Sequence, residues 1–125
     1  MPQPQLHNLF AGIPENIPKE IIEILLKAPG FYLERIISAG QATPLGQWYN
    51  QETHEWVVLL SGAAGLLVEG EAQPRVLRPG DYLLIPARCR HRVEWTDPER
   101  RTVWLALHYQ PGKMPGAPGL ACPSP

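Results

Sequence analysis

A series of short, extended-type segments fills the chain from residue 31 to residue 109 and restricts the fold more than any other feature. These segments are rich in β-branched and aromatic residues, and turn residues such as Gly, Pro and Asp separate them at close intervals. The predicted strands are 31–38, 46–50, 55–61, 64–69, 74–78, 81–86, 91–96 and 102–109. Such a series predicts an all-β antiparallel sandwich or small barrel, and a barrel of this size can hold one small ligand.

The segment before these strands follows a helical pattern. Between Pro18 and Pro29-Gly30, apolar residues recur at helical spacing on one face, namely Ile21, Ile22, Leu25 and Leu26. This predicts one short amphipathic helix, which either covers the sheet or takes part in a dimer. The predicted organisation is an N-terminal arm and helix over 1–30, a barrel over 31–110 and a flexible Pro/Gly-rich tail over 111–125.

Composition and charge exclude several classes of partner. The net charge is −1, from 11 Lys+Arg and 12 Asp+Glu, so nothing indicates nucleic acid binding. No apolar run approaches the ~18 residues of a membrane span, and the first residues do not resemble a secretory signal. Cys89 and Cys122 are too few for a disulfide framework. We therefore expect a cytoplasmic protein with a small-molecule ligand, and neither nucleic acid nor a membrane as a partner.

The alternation of side chains places polar groups on interior faces. In the segment 55–61, Glu55 shares a face with Val57 and Leu59, and in 91–96, His91 shares a face with Val93 and Trp95. A carboxylate that leads an otherwise apolar interior row needs a partner, because burying an unpaired charge is costly. The pattern therefore predicts a polar site inside the barrel.

Two spaced motifs carry a resemblance to a known family. Glu55 is followed after six residues by Gly62, as at the end of the first cupin motif. The second motif has the spacing Gly, five residues, Pro, one residue, Gly, two residues, His, and is matched by Gly80, Pro86, Arg88 in the place of the glycine, and His91. The chain thus resembles the cupins, in particular small single-domain bacterial ones. The resemblance implies a cupin jelly-roll β-barrel of two antiparallel sheets and, since such proteins are commonly dimeric, a homodimer. The short N-terminal helix predicted from the residue pattern precedes this barrel.

The resemblance also implies a metal site. Metal-binding cupins usually carry His-x-His shortly before the motif Glu, whereas these positions are Tyr49 and Gln51 here. His108 faces inward if Trp104 and Ala106 do. The expected ligands of a divalent ion (Fe, Mn, Ni or Zn) are therefore Gln51, Glu55, His91 and His108, with no organic cofactor. The alternative is a metal-free pocket in which Glu55 and His91 are only hydrogen-bonded.

Aromatic residues and arginines lie near the same predicted pocket. The aromatic candidates for a substrate wall are Trp48, Tyr49, Trp95 and Trp104, although large aromatics also simply fill a small core. Arginines concentrate between positions 88 and 101, where they either grip an anionic ligand or form a solvated turn.

Three functions remain open from the sequence. The first is a metal-dependent enzyme of the dioxygenase or isomerase type, in which Glu55 and His91 ligate the ion. The second is a metal-free barrel that binds or senses a small molecule without catalysis. The third is metal-free acid–base catalysis with His91 as the base and Tyr49 as the acid. The fold does not choose among them, whereas metal content and ligand binding by a His91→Ala variant would.

Overall fold

All regular secondary structure in the described part of the chain is β-strand. The structure is a computed structural model and describes residues 3–112. The strands are β1 (Ile21–Ala28), β2 (Phe31–Ser38), β3 (His54–Ser61), β4 (Ala64–Val68), β5 (Arg75–Leu77), β6 (Tyr82–Ile85), β7 (His91–Thr96) and β8 (Thr102–Tyr109). None of the described residues forms a helix long and apolar enough to cross a bilayer.

Two antiparallel sheets face each other. The larger has the strand order β1-β2-β8-β3-β6 and the smaller has the order β5-β4-β7. The inward rows of both sheets meet in an apolar core, which includes Val57, Leu59, Leu66, Ile85, Trp104 and Ala106. This two-sheet arrangement confirms the prediction of an all-β jelly roll, because alternate residues of each strand are buried between the sheets.

The predicted N-terminal helix is wrong, because residues 21–28 form a strand. β1 pairs antiparallel with β2 from Ile21 opposite Ile37 to Ala28 opposite Phe31. The two-residue loop Pro29-Gly30 connects them, with Gly30 at a φ of 89°, as in a type II turn with Pro before Gly. The short segment thereby gains a ladder of hydrogen bonds, interrupted only by an irregularity between Ile24 and Leu26. An isolated helix of this length is instead marginal in water.

β1 is an edge strand and much of its apolar surface is exposed. Ile22, Ile24, Leu25 and Leu26 are each about half exposed, at 45–57%. Arg35 of β2 is buried and ties the N-terminal arm to the sheet by donating to the backbone carbonyl oxygens of Leu9 and Ala11. The N-terminal part of the chain thus supplies the edge strand β1 of the larger sheet and an arm that packs against that sheet.

The predicted strand at 46–50 is a loop instead. Only Tyr49 makes a β-bridge there, with His91. The buried guanidinium of Arg92 holds the loop by donating to the carbonyl oxygens of Thr43, Pro44 and Gln47. Hydrogen bonds from one arginine side chain therefore hold this segment in place of a strand ladder.

Two motif positions show why glycine is favoured at them. Gly62 has a φ of +83°, and a Cβ there would lie 2.8 Å from the carbonyl oxygen of Arg101. Arg88, in the place of the second motif glycine, has a φ of 68°, a conformation that costs a residue with a side chain about 1–2 kcal/mol. The predicted tail lies outside the described residues from position 113 onward, and so does Cys122.

Candidate functional site

A cavity of about 130 Å³ lies between the two sheets. Besides Tyr49, the polar residues that line it are Glu20, Glu34, Gln51, Glu55, His91 and His108. All four predicted metal ligands are therefore at this cavity. The remaining wall is apolar and includes Ile36, Val57 and Trp104. The cavity is much smaller than the ~300–1,000 Å³ of a site for a drug-sized ligand.

Strand register brings the polar residues together. On β8, His108 lies opposite Tyr32 of β2 and opposite Glu55 of β3. Glu34 shares a face with Tyr32, two residues further along β2. His91 begins β7 in the other sheet, directly after the turn that follows β6. Both sheets therefore contribute an imidazole to the same cavity.

The first of two imidazole–carboxylate pairs, the β7–β3 pair, joins His91 and Glu55 across the sheets. The Nδ1 atom of His91 lies 2.9 Å from the carbonyl oxygen of Cys89. Because a carbonyl oxygen only accepts, Nδ1 carries the hydrogen. Nε2 then lies 3.6 Å from Oε1 of Glu55, which is too long for a good hydrogen bond. Both side chains are buried and line the cavity, where a ligand would lie beside Nε2.

The second pair, the β8–β2 pair, joins His108 and Glu34 within the larger sheet. Nε2 of His108 lies 2.8 Å from Oε1 of Glu34, and the imidazole stacks on Tyr32 with centroids 4.5 Å apart. Burial by itself lowers the pKa of His108, but the hydrogen bond to Glu34 and the charges of Glu55 and Glu34 together raise it above its ordinary value. Nδ1 is buried and has no hydrogen-bond partner among the described residues. A buried polar atom of this kind is normally satisfied by water or a ligand.

Tyr49 supports the β7–β3 pair. Its ring stacks on the imidazole of His91 with centroids 5.5 Å apart, and the two backbones exchange hydrogen bonds of 2.7 and 3.1 Å. Burial raises the pKa of the Tyr49 hydroxyl, and the nearby charges of Glu20 and Glu55 raise it further. A hydrogen bond with the Thr43 side chain opposes this rise in pKa without reversing it, so the hydroxyl stays protonated at neutral pH.

A chain of hydrogen bonds ends at Glu20. The indole N–H of Trp104 donates to the hydroxyl of Ser38 at 3.3 Å, and that hydroxyl donates to Glu20 at 2.9 Å. Burial raises the pKa of the Glu20 carboxyl, and the charge of Glu34 adds to this, although the bond from Ser38 opposes it. Glu20 thus resists ionisation more than an exposed carboxyl does.

Two of the four predicted aromatic residues lie outside the lining of the cavity, which corrects the expectation for them. Tyr49 and Trp104 line it. A bulge in the pairing of β4 with β7 sets Gly65 opposite Trp95 but Leu66 opposite Val93, so the alternation shifts and Trp95 turns outward. Its indole occupies the space that a Cβ on Gly65 would need.

Trp48 lies under the arginines instead. The guanidinium groups of Arg90 and Arg92 are each 5.8 Å from the centroid of its ring, a cation–π distance. Arg92 is occupied by its loop contacts, and among the described residues no Lys or Arg lines the cavity. The arginine-rich segment therefore does not supply an anion site to the cavity.

Sequence reasoning missed Glu20, Glu34 and Ser38. The available signal is the alternation on β2, where Glu34, Ile36 and Ser38 share one face. That face is ambiguous because Leu33, Arg35 and Ile37 form an equally mixed row. The helical pattern places Glu20 on the solvated side of the predicted helix, and only the strand geometry turns it toward the cavity.

The predicted metal ligands do not fit a metal centre in their present arrangement. Within residues 3–112, no three His, Cys, Asp or Glu side chains are grouped so that they could hold one ion. The reason is that the Nε2 atoms of His91 and His108 face different carboxylates, and Nε2 of His108 is already bonded to Glu34. Gln51 adds only a neutral amide, which is a weak ligand for a transition metal.

The fold and the site together define a class of protein. It is a small jelly roll of two sheets with a polar cavity between them. The sequence pattern of the family described as "Cupin domain" matches residues 36–108, more than half of the chain. The chain therefore belongs to the cupin family. A search of curated protein sequences finds no match to it.

Solved structures agree with this assignment. A "putative mannose-6-phosphate isomerase" from Ralstonia eutropha JMP134 is 53% identical, with a TM-score of 0.83, over 86% of this chain and 99% of that one. A cupin superfamily protein from Desulfitobacterium hafniense DCB-2 is 18% identical, with a TM-score of 0.70, over 88% and 94% of the chains. An RmlC-like cupin with a double-stranded β-helix fold from Methanocaldococcus jannaschii is 12% identical, with a TM-score of 0.62, over 78% and 86%. The last two share the fold alone.

Proposed function

We propose that this cupin is an isomerase-type enzyme that moves a proton between neighbouring carbons of a small hydroxylated carbonyl compound. The observation that carries the proposal is that two imidazole–carboxylate pairs face one cavity, with one imidazole from each sheet. Paired acid and base groups are what such a proton transfer needs. The name of the Ralstonia eutropha relative supports the same type of reaction.

The two pairs suit different steps. In the proposed reaction, Nε2 of His91 takes the proton from the carbon beside the carbonyl group, and Glu55 stabilises the imidazolium that forms. The electron pair of the broken C–H bond forms an enediol as His108 gives a proton to the carbonyl oxygen. Nε2 of His91 then returns its proton to the former carbonyl carbon, while the hydroxyl on the carbon that was deprotonated first gives its proton to His108 and becomes the new carbonyl group. The isomer forms and both protein groups are restored.

The proposal extends to the type of reaction and not to the substrate in the relative's name. A hexose phosphate carries a phosphate group with two negative charges. No Lys or Arg among the described residues lines the cavity to balance them. The cavity of about 130 Å³ is also small for a six-carbon sugar phosphate. A substrate of three or four carbons fits this volume better.

Deuterium exchange tests the proposed function across a panel of small carbonyl compounds. The protein is incubated in D2O with neutral trioses and tetroses, and NMR follows the loss of the hydrogen beside the carbonyl group. We expect exchange or isomerisation of at least one compound, which a His91→Gln variant loses. The control is His7→Gln. The proposal would be overturned if His91→Gln exchanged as fast as this control, or if the wild-type protein exchanged none of the compounds. His7 lies in the N-terminal arm, far in sequence from the cavity-lining residues, and is exposed.

A metal-dependent reaction of the dioxygenase or isomerase type is the second candidate, because Gln51, Glu55, His91 and His108 line one cavity. To bind one ion, His108 would have to leave Glu34. Elemental analysis of protein purified without a His-tag or chelator separates the two candidates. Stoichiometric Fe, Mn, Ni or Zn that disappears in Glu55→Ala would favour the metal-dependent reaction. Ligand binding without turnover would instead favour a binding or sensory barrel.

We also propose that the protein is a homodimer that pairs through β1. An apolar edge strand with unpaired backbone groups is the kind of surface on which a second copy can extend the sheet. Light scattering tests this with Ile24→Lys, which adds a charge to the edge, and with Leu45→Lys as a control on an exposed loop residue. A monomeric Ile24→Lys beside a dimeric control is expected, and a monomeric wild-type protein would contradict the proposal.

A further inference from the structure

The cavity holds one more carboxyl group than its two imidazoles can pair with. Three carboxylates line it, and no Lys or Arg does so among residues 3–112. Glu34 and Glu55 each have an imidazole beside them. Glu20 is the third carboxylate, and its hydrogen bond comes from the neutral hydroxyl of Ser38. A ligand that brings a positive charge would balance Glu20.

The surroundings of Glu20 favour a compact cation. The residue is partly buried at the side of the cavity where Ile22 and Ile36 also contribute to the lining. The charge of Glu34 adds to the cost of ionising Glu20 and raises its pKa further. An ammonium group between the two carboxylates would remove that repulsion, because each carboxylate would then face an opposite charge.

A second, independent observation also indicates a polar ligand. Nδ1 of His108 is buried and unpartnered among the described residues, and His108 itself is only 1% exposed. Since Nε2 is engaged by Glu34, Nδ1 is the nitrogen left for a hydroxyl group of a bound molecule. The cavity thus offers one unbalanced carboxylate and one unsatisfied nitrogen to the same small ligand.

We propose that the cavity selects small hydroxylated ligands that carry an amine, with Glu20 as the ammonium-binding residue, and that it disfavours phosphorylated ligands of the same skeleton. The inference rests on the proposed function only in taking the same cavity as the substrate site. It concerns binding, so it is tested without turnover.

Three compounds with one carbon skeleton and different charges test this inference. Glycerol is neutral, 2-amino-1,3-propanediol is cationic at neutral pH, and glycerol 3-phosphate is anionic. Each is titrated into the full-length protein while NMR records the imidazole resonances of His91 and His108. We expect the amine to bind about five to ten times more tightly than glycerol, and glycerol 3-phosphate to bind most weakly.

Matched variants assign the preference to Glu20. Glu20→Gln keeps an acceptor for Ser38 and removes the charge, so the advantage of the amine over glycerol should fall to about twofold or less. Glu99→Gln removes the same charge from an exposed position outside the cavity and should leave the advantage unchanged. Dispersed amide spectra verify that each variant is folded.

Three results would overturn the inference. They are the tightest binding for glycerol 3-phosphate, an amine preference that survives in Glu20→Gln, and the absence of any imidazole shift with all three compounds. Failure of the isomerase proposal has a different signature, because exchange in D2O would be absent while the amine still bound through Glu20.

Discussion

The two imidazole–carboxylate pairs of the cavity differ in distance and in origin. The β8–β2 pair lies within one sheet and is closed by a 2.8 Å hydrogen bond. The β7–β3 pair bridges two sheets, and its nearest atoms are 3.6 Å apart. Residues on adjacent strands are held together by the ladder, whereas residues on facing sheets depend on the sheet spacing. The comparison indicates that the β8–β2 pair holds a proton between His108 and Glu34. In the β7–β3 pair, His91 and Glu55 remain able to contact a ligand.

Loss of the base in the β7–β3 pair should have the largest effect. We expect His91→Gln to lower the exchange rate about a hundredfold to ten-thousandfold, because the amide cannot take a proton. Exchange rates in D2O under saturating substrate give the measurement, and ligand titration verifies that binding survives. A rate within twofold of the wild-type rate would remove His91 from the proposed base role.

Loss of a carboxylate should affect stability more in the β8–β2 pair. Glu34→Ala leaves Nε2 of His108 buried without its partner, so we expect it to lower the free energy of unfolding by about 1–3 kcal/mol more than Glu55→Ala does. Glu55→Ala is the matched control because its carboxylate makes no short bond to His91. Urea unfolding measures both variants. Equal losses would mean that the distance between the paired atoms does not distinguish the pairs.

The β8–β2 pair should also give a pH dependence of known sign. The pKa of His108 is raised on folding, so its contribution to stability is fully present below the unfolded pKa of about 6.5 and is lost as pH rises through the folded pKa. NMR titration of the imidazole should show the raised pKa, and Glu34→Gln should lower it. A folded pKa at or below that of the unfolded chain would contradict this account of the pair.

The smallest expected effect is on stability, from a substitution in the turn that precedes His91. This substitution leaves the side chains of both pairs intact. Arg88→Gly should stabilise the protein by about 0.5 kcal/mol, because glycine relieves the positive φ but gains entropy in the unfolded chain. The ion pair lost with Glu52 spans 3.5 Å between exposed side chains and contributes little. Thermal unfolding measures the change, with Arg100→Gly as the control. Greater destabilisation than the control would contradict the strain argument.

Strand alternation was enough to predict much of the fold. Seven of the eight strands lie within or largely over predicted segments, since their turns carry clear Gly, Pro and Asp signals. The exception is β1. Its apolar residues occur on both faces of an edge strand, and the same spacing fits a helical stripe. The better signal was Pro29-Gly30 between two extended segments, which favours a hairpin.

The candidate site was predictable only in part. Glu55 and His91 follow from alternation, and His108 follows from its position on the last strand. Glu34 could not be assigned a face because the N-terminal arm covers β2 through Arg35, so both faces of that strand carry buried residues. The outward turn of Trp95 depends on a bulge, which alternation does not reveal.

The central claim is that the two imidazoles act on one ligand in one cavity, and a double-mutant comparison tests it most directly. Exchange in D2O is measured for wild type, His91→Gln, His108→Gln and the double variant. The account predicts that the double variant is about as slow as His91→Gln alone, because groups that act as a unit have non-additive effects. Independent, multiplicative losses would contradict the claim, and so would full activity in either single variant.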